Sequence, residues 1–177
     1  PTALRAAGPI VVVDSDAPAA VVTAFMDYGV WSKTPDGEWH NKGRDEVPTA
    51  VTAERTMKYA VHIASALTKP LPALAGQKIQ IVPVETAIPQ QMGQPIKLRI
   101  LFDGKPMAGV SVINDYVNDP DQVPVMSAAD GTVTVPVRNQ GLNVIAATYM
   151  GPSDQPAKYD RVEYRGTLSF VLPHAPE

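Results

Sequence analysis

The chain has 177 residues, of which 45% are hydrophobic and 19% are charged, and its formal net charge is −3. This length is enough for one or two domains with hydrophobic cores. The weakly acidic balance provides no basic stripe for phosphates, so we expect no nucleic-acid partner. No apolar run approaches the roughly 20 residues of a membrane-spanning helix, so we expect a chain that does not span the membrane.

Cysteine is absent from the sequence. This excludes disulfides, thiolate nucleophiles and Cys-based zinc sites. Exported bacterial proteins often dispense with cysteine, so we expect a periplasmic or extracellular protein. The sequence begins at Pro1 without an initiator Met, which favours removal of a leader that this chain does not contain.

Two apolar runs open the sequence, over residues 9–13 and 19–25. Their β-branched side chains predict two strands, and the triplet Pro35-Asp36-Gly37 that follows is typical of a turn. We interpret this part as the last strands of a partial β-domain.

The hydrophobic period changes over residues 48–68. At 100° per residue one stripe collects the apolar side chains of Ala53, Met57, Ala60, Val61, Ala64 and Leu67. The opposite side collects the polar or aromatic Glu54, Arg55, Lys58, Tyr59 and His62. Pro70 and Pro72 would stop a helix. The pattern predicts one amphipathic helix that lies on a sheet.

Alternation with period two begins near residue 78, and turn signals such as Asp103-Gly104 and Asp130-Gly131 separate the runs. The pattern predicts about seven strands, over residues 78–84, 95–102, 108–116, 123–126, 132–137, 142–149 and 160–172. Short strands at this spacing favour an immunoglobulin-like or transthyretin-like sandwich. We therefore expect a mainly β chain with two parts: residues 1–75, which end in the connecting helix, and a sandwich domain over residues 76–177.

Three phrases in the second part carry a resemblance. They are FDGKPMAGVSV at 102–112, ADGTVTVPV at 129–137 and GLNVIAA at 141–147. Together they resemble the framework of prealbumin-like and carboxypeptidase-regulatory-like sandwiches, in which glycines and prolines shape the turns.

Other phrases resemble a family of bacterial periplasmic proteins that are commonly labelled as components of cobalt or nickel transport. They are GVWSKTPDGEW at 29–39, MKYA at 57–60 and DRVEYRGTLSF at 160–170. The resemblance implies an exported accessory protein, nickel or cobalt as its metal, and a membrane component of metal uptake as its partner. Family members carry a His near the mature N-terminus, and this sequence has none near Pro1. We expect either a truncated piece or a shortened branch of the family.

The candidate metal ligands are histidines, because nickel and cobalt favour imidazole and carboxylate where thiolate is absent. The chain has three, His40, His62 and His174, and no two of them stand at a short ligand spacing. His40 lies in a turn-rich acidic segment, and His62 lies on the polar side of the predicted helix, where a solvated surface His is the alternative. We expect His174 to lie in a disordered tail.

Two further candidate sites have simple structural alternatives. Trp31, Trp39, Tyr59 and Asp45 could form a binding surface, where the Trp31-to-Asp45 loop and the polar face of the helix would meet a metal or a metal complex. The Trp31-to-Trp39 loop would also suit a carbohydrate or peptide, or the tryptophans could pack the helix onto the sheet. Asp115, Asp119 and Asp121 have the composition of a calcium loop but lack the EF-hand order of ligands, and a polar loop between strands is the alternative.

No catalytic motif occurs in the sequence, so we expect no enzyme. The favoured function is a non-catalytic accessory or binding protein for nickel or cobalt uptake. The alternative is a structural or adhesion module of a surface assembly, in which strands 95–102 and 160–172 would be edges that pair with a neighbour.

Overall fold

The computed structural model describes residues 2–8 and 10–172, so His174 lies outside the described residues. Over these ranges the chain forms thirteen strands and no helix, and therefore no helix that could cross a membrane. The strands are β1 (Thr2–Ala7), β2 (Ile10–Ser15), β3 (Val21–Lys33), β4 (Trp39–His40), β5 (Thr52–Ile63), β6 (Ile79–Pro83), β7 (Pro95–Phe102), β8 (Lys105–Pro106), β9 (Ser111–Ile113), β10 (Val125–Met126), β11 (Thr132–Pro136), β12 (Leu142–Pro152) and β13 (Arg161–Val171).

Two sheets pack face to face and form a β-sandwich. The larger sheet has seven strands in the order β10-β9-β12-β13-β5-β3-β4, and the smaller has the order β11-β7-β6 with β8 on β7. β5 is parallel to β13 and antiparallel to β3. The hairpin β1–β2 forms a separate two-stranded sheet.

The core lies between the two sheets and consists of alternate side chains from facing strands. Ile79 and Ile81 of β6, Leu98 and Ile100 of β7, and Leu168 of β13 are fully buried within it. Full burial of one such side chain stabilises the fold by roughly 1.5–3 kcal/mol. The period-two pattern of these strands follows from this arrangement, because each strand turns one side to the core.

The predicted β-sandwich is confirmed. Each of the seven strands predicted after residue 78 has a counterpart, as β6, β7, β9, β10, β11, β12 and β13. β3, β4 and β5, from the part before residue 76, complete the same sheet as β13. The division of the chain at residue 75 stays a prediction.

The predicted amphipathic helix over 48–68 is wrong. Thr52–Ile63 form β5, which is hydrogen-bonded to a neighbour on both sides. β5 buries Ala53, Thr56 and Tyr59 at a spacing of three before it buries Val61 and Ile63 at a spacing of two. Ala53, Met57 and Val61 of the predicted stripe stand four residues apart, so they share a face in a helix and in a strand alike, and pairing on both sides outweighs the helix propensity of the segment.

The predicted free edges are also wrong, because β7 and β13 each have neighbours on both sides. The larger sheet ends instead at two short strands, β10 and β4. β4 pairs only with Ser32 and Lys33 of β3. Residues 21–30 of β3 therefore have no strand on the side opposite β5 in the described chain.

Gly131 is predicted to be essential to the turn before β11. Its φ is +77°, and a Cβ there would lie 2.9 Å from the Met107 nitrogen and 3.0 Å from the Ile100 oxygen. We expect Gly131→Ala to lower the free energy of unfolding by at least about 2 kcal/mol, because displacement of this backbone adds to the left-handed cost of roughly 1–2 kcal/mol.

Urea denaturation measures this loss, and Gly141→Ala is the matched control. Gly141 has a φ of +89° but no atom within 4 Å of an added Cβ. The control should therefore lose only the conformational part, roughly 1–2 kcal/mol. Equal losses in the two variants would contradict the role of the close approach at Gly131.

Candidate functional site

The outer face is the side of the seven-stranded sheet that points away from the smaller sheet. On β5 it carries Lys58, Ala60 and His62, which alternate with the buried Tyr59, Val61 and Ile63. Side chains directly opposite one another on paired strands lie on the same face of the sheet. The residues that pair with Lys58, Ala60 and His62 therefore also belong to the outer face.

A row of small side chains crosses the outer face. Ala60 pairs with Ala24 of β3 on one side and with Thr167 of β13 on the other, and Thr167 pairs with Ala146 of β12. Larger side chains flank this row on both sides. One wall consists of Met26, Lys58, Arg165 and Thr148, and the other of Val22, His62, Ser169 and Val144.

We call this row of small side chains, together with the larger ones that flank it, the trough. Its two walls stand four residues apart along each strand, a separation of roughly 13 Å at 3.3 Å per residue. The floor at Ala60 and Thr167 is half-buried, so a small molecule can reach it. The trough therefore has a cationic wall at Lys58 and Arg165 that faces an imidazole at His62.

His62 is held by β13. Its Nδ1 lies 2.9 Å from the Ser169 hydroxyl oxygen, across the parallel pair of strands. In the tautomer in which Nδ1–H donates to Ser169, the Nε2 atom keeps its lone pair. A neutral imidazole oriented through its other nitrogen is the form that ligates metals.

Lys58 rests on an aromatic ring. Its Nζ lies 3.9 Å from the centroid of Tyr28, and Tyr28 stacks on Trp31 with 5.4 Å between ring centroids. Lys58 forms no ion pair with any residue in the described ranges. The rings attract the ammonium group without a neighbouring carboxylate that would balance its charge.

Arg165 lies beside Lys58, on the neighbouring strand. Its Nη2 is 3.0 Å from the Glu163 carboxylate, and its Nη1 donates to the Tyr116 hydroxyl. Its Nε is buried and has no hydrogen-bond partner within the described ranges. Arg165 is thus held in position by two contacts, and the Glu163 carboxylate balances part of its charge.

The outer face is more basic than the chain as a whole. Four cations on β3, β5 and β13 face only two carboxylates there, although the net charge of the chain is −3. The cations are Lys33, Lys58, Arg161 and Arg165, and the carboxylates are Glu54 and Glu163. This local excess attracts anions.

Beyond His62, at the ends of β5 and β13, lies a groove of about 560 Å³. The segments 64–67 and 86–90 line it together with the ends of β5 and β13. Ile63, Leu67, Ile88 and Phe170 make this end of the site largely apolar. The volume falls within the roughly 300–1,000 Å³ that is usual for small-ligand sites.

The two histidines predicted as metal ligands lie far apart. His40 pairs with Ser32 and His62 pairs with Val22, so the length of β3 separates them by roughly 30 Å. His40 shares the side of buried Ser32, opposite to that of His62, and its Nε2 is 3.4 Å from the Thr34 hydroxyl. In residues 2–8 and 10–172 no three His, Asp or Glu side chains form a group that could hold a metal ion.

The predicted binding surface is divided by the sheet. Trp31 and Trp39 lie on the outer face, where Lys33 Nζ is 5.8 Å from the Trp39 ring centroid. Tyr59 lies in the core with 6% exposure, against Phe25. Asp45 is exposed in the loop after β4, at a polar cleft that also contains Lys158.

Two of the three carboxylates of the predicted calcium loop, Asp115 and Asp119, are already engaged. Burial opposes ionisation of Asp115, but hydrogen bonds from Asn139 and Asn118 outweigh it and lower the pKa of its carboxyl. Asp119 lies 3.3 Å from the Arg138 guanidinium. Asp121 is exposed in the same loop. The loop therefore stabilises itself internally.

Sequence reasoning did not find Lys58, Arg165 and Ser169 as site residues. An interpretation of residues 52–63 as a strand, with alternate side chains on opposite faces, would have placed Lys58, Ala60 and His62 on one face. Arg165 and Ser169 had no local signal, because they meet β5 only through the pairing of strands about a hundred residues apart.

Asp160, which directly precedes β13, contacts both the loop after β4 and the start of β5. Its Oδ2 accepts a hydrogen bond from the Ala53 amide at 2.8 Å and lies 2.5 Å from Arg44 Nη2. The Ala53 amide and the Arg44 guanidinium hold the pKa of the Asp160 carboxyl below its usual value. A carboxylate stabilised in this way adds stability above its unfolded-state pKa, and this stability is lost as the pH falls through the folded-state pKa.

We expect Asp160→Asn to lower the free energy of unfolding by roughly 1 kcal/mol at neutral pH, since the group is partly exposed. The difference from the native chain should shrink below about pH 4, where the native carboxylate is protonated. Urea denaturation across this pH range measures it, with Asp121→Asn as an exposed control. A loss that does not change with pH would contradict the assigned role of the charge.

Comparison with known proteins places the chain in a family. An uncharacterized protein of Haemophilus influenzae (strain ATCC 51907 / DSM 11121 / KW20 / Rd) is 27% identical to it over 150 residues, which are 85% of this chain and 62% of that relative. The chain thus spans less than two thirds of the relative's length. No solved structure matches the chain. The family described as domain of unknown function DUF4198 matches residues 3–151, and the chain belongs to this family.

Proposed function

We propose that the protein is a non-catalytic, exported binding protein that takes nickel or cobalt as a negatively charged chelate in the trough. The observation that carries this proposal is the placement of His62 opposite Lys58 and Arg165 across a floor of small side chains. The role in metal uptake, the location outside the cytoplasm and a membrane partner rest on the sequence resemblance.

A chelate fits the site better than a bare ion does. Nickel and cobalt ions need several nitrogen or oxygen ligands, and the trough supplies one imidazole and no free carboxylate among the described residues. A small carboxylate chelator already provides most of the ligands and leaves the complex with negative charge. His62 Nε2 would then occupy one open position on the metal.

The cationic wall would bind the outer oxygens of the chelator. Lys58 supplies a flexible point charge, and Arg165 supplies directional donors. The small side chains of Ala60 and Thr167 let a compact ligand approach the sheet. Charge-assisted hydrogen bonds of this kind are about twice as strong as neutral ones.

A non-catalytic function agrees with the surroundings of the His62–Ser169 pair. A Ser hydroxyl beside an imidazole resembles a nucleophile with its base. Acyl transfer also needs N–H donors aimed at the developing oxyanion. Ser169 lies inside β13, which is paired on both sides, so its neighbouring N–H groups are used by the sheet.

Calorimetric titration with nickel citrate tests the proposal. We expect His62→Ala and Lys58→Gln each to weaken binding at least about tenfold, or about 1.4 kcal/mol. His40→Ala and Lys97→Gln are the matched controls, because His40 lies at the other end of β3 and Lys97 is exposed on β7. Both controls should bind as tightly as the native chain.

The same titration with nickel chloride and with citrate alone separates the two halves of the ligand. We expect weaker binding of each than of the complex. Binding of nickel chloride as tight as that of the chelate, and unchanged in Lys58→Gln, would contradict the chelate. If nickel citrate, nickel chloride and citrate all fail to bind, the result would contradict a role in metal binding.

A second candidate function is a structural or adhesion module in a surface assembly. The observation that favours it is the unpaired edge of β3 over residues 21–30. An edge that binds a different surface of its neighbour generates open-ended assemblies. Light scattering would then show particles whose mass grows with concentration without limit.

A further inference from the structure

Tyr116, in the loop after β9, connects the two walls of the trough. Its backbone amide donates to the Val144 carbonyl at 2.9 Å, so its backbone lies beside the wall that contains His62. Its hydroxyl oxygen accepts a hydrogen bond from Nη1 of Arg165, which belongs to the opposite wall. The guanidinium carbon of Arg165 lies 5.2 Å from the centroid of the Tyr116 ring.

Ala146 lies beneath this connection. It stands midway between Val144 and Thr148 on β12, and Thr148 pairs with Arg165 on β13. A straight path from the Tyr116 backbone to Arg165 therefore passes over Ala146. Ala146 is only 2% exposed, although its side chain is on the outer face. The side chains of Tyr116 and Arg165 thus close the trough over Ala146.

The trough therefore has one closed end and one open end. Exposure rises along the row of small side chains from buried Ala146, through half-buried Thr167 and Ala60, to exposed Ala24 on β3. The floor that a ligand can reach extends over β13, β5 and β3, a width of roughly 10 Å at 4.8 Å between neighbouring strands. A ligand on this floor has the Tyr116 hydroxyl at its β12 end.

The Tyr116 hydroxyl can still donate a hydrogen bond. An Arg side chain only donates, so the Tyr116 oxygen is the acceptor in its bond with Arg165. Residues 2–8 and 10–172 provide no acceptor for the Tyr116 O–H. The bond from the guanidinium polarises the phenol and strengthens donation by its O–H group. An anionic oxygen beside Arg165 is the acceptor that suits this donor.

The loop that carries Tyr116 is fixed by its own polar groups. The Asp115 carboxylate accepts hydrogen bonds from the Asn118 amide at 3.2 Å and from Asn118 Nδ2 at 3.1 Å. The Asp115 carbonyl accepts one from the Asp119 amide at 3.0 Å. Because these bonds already order the loop, Tyr116 loses little conformational freedom when it binds a ligand. The acidic segment with the composition of a calcium loop thus positions an aromatic side chain.

We propose that Tyr116 binds the ligand of the trough, where it donates its O–H to a carboxylate oxygen of the chelate and ends the floor at Ala146. This role rests on the chelate proposed above and narrows its chemistry. The ligand has to fit a floor that is three strands wide. It also has to present, next to Arg165, a carboxylate oxygen that the metal does not use.

Calorimetric titration with nickel citrate tests the role of the hydroxyl. We expect Tyr116→Phe, which keeps the ring, to weaken binding roughly tenfold, because a hydrogen bond to a charged group is lost. Tyr164→Phe is the matched control. Tyr164 lies on β13 beside Arg165 in sequence, but it faces the smaller sheet and contacts Phe102. This control should bind nickel citrate as tightly as the native chain.

A double-mutant comparison separates contact with the ligand from an effect through Arg165. If Tyr116 touches the chelate, Tyr116→Phe should also weaken binding in the Arg165→Gln variant. If the hydroxyl only orients Arg165, its removal should change nothing once Arg165 is replaced.

Thiol labelling tests the closed end of the trough without any ligand. The chain has no cysteine, so Ala146→Cys introduces a single thiol. We expect this thiol to react at least about fivefold faster when Tyr116→Ala is added, since labelling follows exposure. Ala24→Cys, at the open end, is the control and should react at the same rate with and without Tyr116→Ala.

Three results would overturn the role of Tyr116. The first is native affinity of Tyr116→Phe for nickel citrate while His62→Ala and Lys58→Gln weaken binding, which would leave the chelate site intact without Tyr116. The second is an effect of Tyr116→Phe that disappears in Arg165→Gln. The third is fast labelling of Ala146→Cys in the presence of Tyr116. If the native chain does not bind nickel citrate, the proposed function is contradicted together with the contact of Tyr116, and the labelling still decides whether Tyr116 closes the trough.

Discussion

Pairing of β5 with β3 on one side and β13 on the other is the constraint on which the rest of the structure depends. It fixes which side chains of β5 enter the core and which form the outer face. It also brings His62 to Ser169 and Lys58 to Arg165, although each pair is more than a hundred residues apart in sequence. Because a shift by one residue would exchange the two faces, burial of Tyr59, Val61 and Ile63 secures the register of the site as well as that of the core.

Prediction from sequence succeeded where each strand carries its own signal. From Ile79 onward, alternating apolar residues between clear turns located seven strands to within a few residues. It failed at β5, because Ala53, Met57 and Val61 stand four residues apart, a spacing that gathers side chains on one face in a helix and in a strand alike. Helix propensity is a weak preference of a fraction of a kcal/mol per residue, and two ladders of backbone hydrogen bonds outweigh it.

The candidate site was predictable only in part, for a physical reason. His62 was recognisable as one of three histidines, but Ser169, which orients it, lies on another strand. The net charge of −3 also concealed a basic face, since strand pairing collects Lys33, Lys58, Arg161 and Arg165 on one side of one sheet. The net charge counts every charged residue of the chain, whereas a bound ligand interacts mainly with charges within one Debye length, roughly 10 Å.

β3 connects the two proposed surfaces, because it is both a wall of the trough and the open edge of the sheet. Ala24 is the last floor residue on this side, and Val22 and Met26 end the two walls. A strand added beside β3 would place its own alternate side chains next to these three residues and extend the trough by one strand. Since a sheet transmits register from strand to strand, such a strand would fix the side chains that close this end. The trough and the unpaired stretch of β3 therefore meet along one strand, so a strand that paired with this edge would change the geometry of the trough.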